Sequence, residues 1–209
     1  MAGVIDHLVL AGPDLDGLVA WFAGVSGVAP APGGAHVGRG TRNALVGLGG
    51  STYLELIGPD PDQPEPDAPR PFGVDELEEP RLVTWCLRPT IPLGEAVEVT
   101  RRHGWDPGSI AAMSRRRPDG ELLRWRLTLR PMIPEVAAVP FFIDWLDSEH
   151  PTASLPTAVA LTSLTVSHPD PDRLASLLAA LGAPGVSVTG GSPSLVAALM
   201  TPNGLVELH

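Results

Sequence analysis

The chain has 209 residues, 44% of them hydrophobic, and a net charge of −10. This size and apolar content allow one large domain or two small ones with a true core, and the negative charge argues against nucleic acid or an anionic membrane as a partner. All 14 basic residues are arginine, which excludes a lysine-anchored pyridoxal phosphate and a P-loop lysine.

The first segment predicts a strand, a helix and three further strands. Pro13-Asp14 opens a helix over about 14–27, which Gly27 ends. Gly49-Gly50 predicts a tight hairpin turn. The strands are predicted at about 4–10, 35–38, 43–48 and 52–57.

A long loop rich in Pro, Asp and Glu follows over about 58–80. Prolines at this density disfavour regular structure. A loop of this length inside a compact chain is often functional, so it is a candidate for a lid over a binding site.

Two more segments repeat the order of the first. The second predicts a helix at about 92–103 and the third a helix from Pro169-Asp170-Pro171-Asp172 to near Gly182. Pro118-Asp119-Gly120 predicts a turn between two strands. The strands are predicted at about 81–88, 111–117, 121–130, 140–146, 158–166, 185–189, 194–200 and 204–208.

Three ionisable residues stand in the middle of apolar strands. They are His7 in the first strand, Glu55 in the last strand of the first segment, and Glu207 near the end of the chain. Buried charges are normally paired or bound to metal, because an unpaired buried charge is costly. We therefore expect function at these positions. The single cysteine, Cys86, is expected to be a small buried hydrophobe.

Several motifs occur in a fixed order, and together they cover most of the chain. They are Ile5-Asp6-His7-Leu8-Val9-Leu10, Gly33-Gly34-Ala35-His36-Val37-Gly38-Arg39-Gly40-Thr41-Arg42-Asn43-Ala44, Tyr53-Leu54-Glu55-Leu56-Ile57, Ser114-Arg115-Arg116-Arg117-Pro118-Asp119-Gly120 with Arg124-Trp125, and Pro140-Phe141-Phe142-Ile143-Asp144-Trp145 with His150-Pro151. This order resembles a glyoxalase-like domain protein of the vicinal oxygen chelate superfamily, the glyoxalase/bleomycin resistance/dioxygenase group. The resemblance implies an α+β fold of repeated βαβββ modules that form curved, cup-like antiparallel sheets.

The resemblance also implies a domain organisation. Residues 1–150 would form a glyoxalase-like domain of two modules, about 1–58 and 81–147, joined by the acidic loop 59–80. Residues 155–209 would form a third, partly degenerate module packed on it.

In this superfamily the first and last strands of each module direct ligands into the cup. The resemblance therefore implies a divalent metal (zinc, iron, manganese or nickel) held by His7, Glu55 and a later carboxylate. That carboxylate is Asp144 if modules one and two form the cup, and Glu207 if modules one and three do. Glu55 and Glu207 are the candidate catalytic carboxylates. The alternative for His7 and Glu55 is a hydrogen bond across the sheet.

Other polar and aromatic residues are candidates for ligand binding. Each has a structural alternative: a polar group can serve a turn, an arginine can pair with a surface carboxylate, and a tryptophan can pack in the core. The candidates are His36, Asn43, Arg115, Arg117, Trp125 and Trp145.

Three hypotheses of function follow. The chain could be a metal-dependent lyase, isomerase or dioxygenase acting on a small molecule, or a metal-free protein that sequesters one, and its third module could serve only to cover a sheet. We expect a small-molecule ligand, no nucleotide, no membrane and no nucleic acid as partners, and a homodimer is compatible with the sequestering hypothesis. A signal-peptide pattern is not seen, which favours the cytoplasm.

Overall fold

The computed structural model describes residues 3–116, 120–130, 137–183 and 185–209. Among these residues, every helix lacks the length and the apolar content that a membrane-spanning helix requires. The helices are α1 (Leu15–Ser26), α2 (Leu93–Arg102) and α3 (Pro171–Ala180), and the strands are β1 (Val4–Ala11), β2 (Ala31–His36), β3 (Thr41–Gly47), β4 (Tyr53–Pro59), β5 (Arg81–Arg88), β6 (Ser109–Arg116), β7 (Leu122–Leu129), β8 (Phe141–Asp144), β9 (Ala160–His168), β10 (Val186–Gly190), β11 (Ser194–Thr201) and β12 (Gly204–Leu208).

The ends of α1 follow from its sequence. The Asp14 carboxylate accepts a hydrogen bond from the backbone N–H of Asp16, which satisfies one of the unpaired donors of the first turn. Gly27 ends the helix with a left-handed φ of 74°, and its N–H donates to the Ala23 carbonyl. The predicted helix over 14–27 is confirmed to within a residue at each end.

Eight strands form one sheet in the order β2-β3-β4-β1-β5-β8-β7-β6. Within each of the first two modules, the first strand pairs in parallel with the last strand: β1 pairs with β4, and β5 pairs with β8. The two modules are joined by the antiparallel pairing of β1 with β5. The cup is therefore built from modules one and two. The predicted α+β fold with a curved, cup-like sheet is confirmed.

The remaining four strands form a second sheet in the order β10-β9-β11-β12. Residues 160–208 keep the predicted order of strand, helix and three strands, but their pairing differs from that of the first two modules. Here the first strand, β9, lies between β10 in parallel and β11 in antiparallel orientation. The last strand, β12, is therefore an edge strand that does not pair with the first.

Each face of the large sheet has its own hydrophobic cluster. The outer face carries Leu8, Trp85 and Phe142, which belong to one cluster with residues of the three helices and of the second sheet. The inner face carries Val9, Cys86 and other side chains of the cup. Directly paired residues share a face, and His7 pairs with Cys86 while Leu8 pairs with Trp85. His7 therefore points into the cup.

The strand β2 is the largest departure from the predicted elements. It was expected at about 35–38 and lies at Ala31–His36, a stretch that contains Pro32. A proline cannot donate to a sheet ladder, but β2 is at the edge of the sheet, where this loss is tolerated. The turn predicted at Pro118-Asp119-Gly120 lies mostly outside the described residues.

Candidate functional site

The inner face of the large sheet encloses a cavity of about 450 Å³. Both modules line it, and so does the end of the predicted lid loop, residues 69–73 and 76. Five of the predicted site residues supply its polar and aromatic lining alongside His7 and Glu55; they are His36, Asn43, Arg115, Trp125 and Trp145. Arg117, the sixth predicted ligand-binding residue, lies outside the described residues.

His7 and Glu55 face each other on neighbouring parallel strands. The His7 Nε2 and Glu55 Oε2 atoms are 3.7 Å apart, and both side chains are almost fully buried. The His7 ring stacks on Tyr53, with 4.7 Å between ring centroids and an interplanar angle of 21°. A ring held in this way presents a defined edge to the cavity.

A chain of hydrogen bonds holds the Glu55 carboxylate from the other side. Asn43 Nδ2 donates to Glu55 Oε1 over 2.6 Å, and Arg115 donates to the Asn43 Oδ1 over 2.9 Å. His36 Nε2 lies 3.6 Å from the same Glu55 oxygen. Glu55 therefore has one oxygen engaged by the protein and the other directed towards His7.

His36 is buried beside this carboxylate. Burial lowers the pKa of His36 below its ordinary value of 6.5; the charge of Glu55 opposes this shift and the charge of Arg115 adds to it. His36 Nδ1 contacts the Thr41 hydroxyl at 3.0 Å. The folded protein therefore favours the neutral imidazole at this position.

The pKa of His36 makes the stability of the protein depend on pH. The unfolded chain takes up a proton near pH 6.5 while the folded chain does not, so the free energy of unfolding is highest above that pH, falls as the pH drops from there towards the lower folded pKa, and levels off below it. The slope from one such group is at most about 1.4 kcal/mol per pH unit. Urea unfolding between pH 7.5 and 5 measures it.

The control compares two histidine substitutions. His36→Gln is expected to flatten the pH dependence, whereas the same change at the exposed His209 is expected to leave it as in the wild type. An equal pH dependence in the wild type and in His36→Gln would contradict this assignment.

Aromatic side chains form the apolar wall of the cavity. The rings of Trp125 and Trp145 are 5.3 Å apart. Phe72, from the predicted lid loop, lies 5.7 Å from the ring of Phe141. Phe72 has a φ of 63°. This left-handed conformation is unfavourable in free energy for any residue other than glycine. The loop therefore reaches the cavity through a strained residue that carries an aromatic ring into it.

One buried carboxylate of the site, Asp6, is not among the sequence-based candidates. Strict alternation along β1 would place it on the face opposite His7. The pairing of β1 with β5 shifts by one residue between Ile5 and His7, so a bulge occurs at Asp6. Asp6 Oδ1 consequently meets His7 Nδ1 at 2.8 Å, and Asp6 is fully buried. The sequence feature that could have identified Asp6 is an acidic residue next to a histidine within an apolar strand.

The structure does not bring Asp144 or Glu207 to His7 and Glu55. On β8 the side chains of Phe141 and Ile143 line the cavity, whereas Asp144 lies on the other face and pairs with Arg126, whose hydrogen bond lowers the pKa of Asp144. Glu207 is exposed on the edge strand β12 of the second sheet. The expectation of a buried Glu207 is therefore corrected.

The donor groups of the site do not fit the predicted metal centre. The predicted site needs His7, Glu55 and one later carboxylate, and neither Asp144 nor Glu207 joins the first two. Among the described residues, the set of three acidic, histidine or cysteine side chains whose donor atoms all lie within 4.8 Å of one another is Asp6, His7 and Cys86. Burial, reinforced by the charges of Asp6 and Glu55, holds the pKa of the Cys86 thiol well above its ordinary value, whereas a thiol must be deprotonated to bind metal.

Comparison with known proteins gives one family and several similar structures. The family described as "Glyoxalase-like domain" matches residues 5–182. A hypothetical protein from Staphylococcus aureus is 16% identical with a TM-score of 0.63 and covers 99% of both chains. Methylmalonyl-CoA epimerase from Mycobacterium tuberculosis is 17% identical with a TM-score of 0.42 and covers 72% of this chain and 91% of its own.

A third structure, methylmalonyl-CoA epimerase from Streptomyces coelicolor in complex with 2-nitronate-propionyl-CoA, is 18% identical with a TM-score of 0.44 and covers 72% of this chain and 100% of its own. At these identities the likeness to solved structures concerns the fold alone. Comparison with curated protein sequences gave no match.

Proposed function

The chain belongs to the glyoxalase-like domain family of the vicinal oxygen chelate superfamily, and we propose that it is a small-molecule enzyme that moves a proton next to a carbonyl group of an anionic substrate. The observation that supports this most is the meeting of Glu55 and His7 in the cup, 3.7 Å apart. Two groups that accept and release protons at one point in a cavity suit isomerisation or elimination, because the proton that one group takes can pass to the other or return to the substrate.

Glu55 is the proposed base. Asn43 holds one of its oxygens and leaves the other towards His7 and the cavity. In the reaction Glu55 takes a proton from the carbon beside the carbonyl, and the electron pair of that C–H bond moves to the carbonyl oxygen. Arg115 lies behind Asn43 in the same lining, and its positive charge favours the anion that forms.

The charge of the lining supports an anionic substrate. Four arginines line the cavity, against the two carboxylates of Glu55 and Glu76, although the chain as a whole is acidic. One of the four, Arg70, is already paired with Glu65 and Asp75. Burial lowers the pKa of Arg130 to about 10, so it still carries its charge at neutral pH. Guanidinium groups bind carboxylates and phosphates well. The arginines are Arg39, Arg70, Arg115 and Arg130.

The second candidate is a binding protein that sequesters a small molecule without chemistry. Its support is the aromatic wall of Trp125, Trp145, Phe141 and Phe72, which suits an apolar or aromatic ligand. In that case Glu55 and His7 would only orient the ligand. The two candidates share the cavity and differ in whether a proton of the ligand exchanges.

Deuterium exchange separates the candidates. The protein is incubated in D₂O with a panel of small 2-oxo, 3-oxo and 3-hydroxy carboxylates and their thioesters, and proton NMR follows the C–H signal beside the carbonyl. The enzyme hypothesis predicts that at least one compound exchanges its C–H proton for deuterium. Ligands that raise the melting temperature without any exchange would support sequestration instead. Exchange that stops on adding EDTA would contradict a metal-free reaction.

A further inference from the structure

Asp6 lies behind the cavity and contacts both the site and the residue His150, which follows β8. It belongs to the inner side of the sheet only because of the bulge in β1. Its Oδ1 faces His7 Nδ1 at 2.8 Å, and its Oδ2 faces His150 Nε2 and Trp145 Nε1, both at 3.1 Å. Asp6 thus links a cavity histidine to a second, partly buried histidine.

The partners of His150 determine where its proton lies. His150 caps a short 3₁₀ turn (Pro151–Ala153). Its Nδ1 accepts from the backbone N–H of Thr152 over 3.3 Å, and it contacts the Thr152 hydroxyl, which can donate to the same nitrogen, at 2.8 Å. A nitrogen that accepts a hydrogen bond carries no proton, so the neutral ring has its proton on Nε2. His150 therefore donates to Asp6, as does the indole N–H of Trp145, which can only donate.

Asp6 is ionised in this arrangement. Burial alone would raise its pKa, but the hydrogen bonds and charges of His150 and His7 hold the pKa of Asp6 well below its ordinary value. An ionised carboxylate can only accept hydrogen bonds. His7 Nδ1 must consequently carry the proton that it shares with Asp6, which leaves the Nε2 of the neutral His7 ring without one.

We infer that Asp6 is a positioning residue: it holds His7 in the tautomer whose unprotonated Nε2 faces Glu55 and the cavity, and His150 and Trp145 hold Asp6 in place. Which nitrogen of a histidine carries the proton is decided by the partner of the other nitrogen. His7 is thereby prepared to accept a proton from a substrate or from Glu55. This use of His7 rests on the proposed function, but the tautomer itself does not.

The side-chain ¹⁵N signals of histidine report the tautomer without any substrate. Long-range ¹H–¹⁵N spectra at pH 7.5, with the His7 signals assigned through His7→Gln, are expected to show a protonated Nδ1 and an unprotonated Nε2. A wild-type His7 with its proton on Nε2 would overturn the inference, whatever the activity. This measurement needs no Asp6 variant, so it stands even if such variants do not fold.

The Asp6→Asn variant supplies a second test of the inference. Trp145 and His150 both donate at the Oδ2 position, so the amide oxygen is expected there, and the amide NH₂ then faces His7 Nδ1 and donates to it. The proton of His7 should move to Nε2, and the exchange rate should fall by about 10–100-fold, which is the size of the loss when the hydrogen-bond partner of a metal-bound histidine is removed.

The matched control is Asp144→Asn, the same substitution at a carboxylate outside the cavity, which should change neither the His7 signals nor the exchange rate. An Asp6→Asn variant that keeps the proton on Nδ1 would overturn the inference. If wild-type His7 shows the expected tautomer but no compound exchanges, the positioning role of Asp6 stands and the proposed reaction fails.

Discussion

Replacing Glu55 with glutamine is expected to lower the rate of proton exchange by about 10²–10⁴-fold, the usual contribution of a general base. Glutamine has the same shape, and its Oε1 can still accept from Asn43, so the fold and the shape of the cavity should persist. What the variant loses is the basic oxygen opposite His7. The rate is measured by NMR in D₂O, and binding by the ligand-induced shift in melting temperature.

The control for this variant is Glu207→Gln, since Glu207 is the other carboxylate that the sequence offers as catalytic. It is exposed on β12, away from the cavity, so its substitution should leave exchange and binding unchanged. Full exchange in Glu55→Gln would rule out Glu55 as the base. Loss of exchange in Glu207→Gln would require a site that includes the second sheet.

Deleting residues 156–209 is expected to yield insoluble protein. The second sheet does more than cover an edge: its side chains share one hydrophobic cluster with the outer face of the large sheet and with α1 and α2. Removing them exposes a broad apolar surface, which promotes aggregation. Solubility and circular dichroism of the shortened chain check this expectation, and a soluble, folded product would contradict it.

Two leucines on paired strands give a quantitative version of that test. Leu199 on β11 is fully buried in the shared cluster, whereas Leu205 on β12 is 61% exposed. Leu199→Ala should cost about 2–5 kcal/mol of unfolding free energy, and Leu205→Ala at most about 0.5 kcal/mol. Urea unfolding of both variants measures the difference. Equal costs would mean that the second sheet adds little to the core.

Part of the site follows from local sequence patterns. His7 and Glu55 stand out because each interrupts an apolar strand, and both line the cavity. The glycine-rich stretch around His36 and Asn43 was found through its resemblance to a family rather than through periodicity, since its glycines and Pro32 obscure the strand. Arg115 alternates with its neighbours along β6, which places it on one face but does not say which face is the inner one.

The sequence does not show which face of a strand points into the cup where consecutive residues of that strand are all apolar. Phe141, Phe142 and Ile143 are all buried, because β8 has a hydrophobic cluster on each face. Such a strand shows no alternation from which the inner face can be deduced. The resemblance to the superfamily therefore placed Asp144 towards the cup, whereas its neighbour Ile143 faces it.

Short-range patterns specify the helices, most strands and the polar residues within apolar strands, because caps, turns and alternation depend on neighbours in the chain. The pairing of modules one and two, the separate sheet of residues 160–208 and the bulge that turns Asp6 towards His7 depend on contacts between residues far apart in sequence. Strand partners and register are selected by the burial of whole faces, which no local pattern contains. The tertiary structure alone therefore decides which carboxylates meet His7.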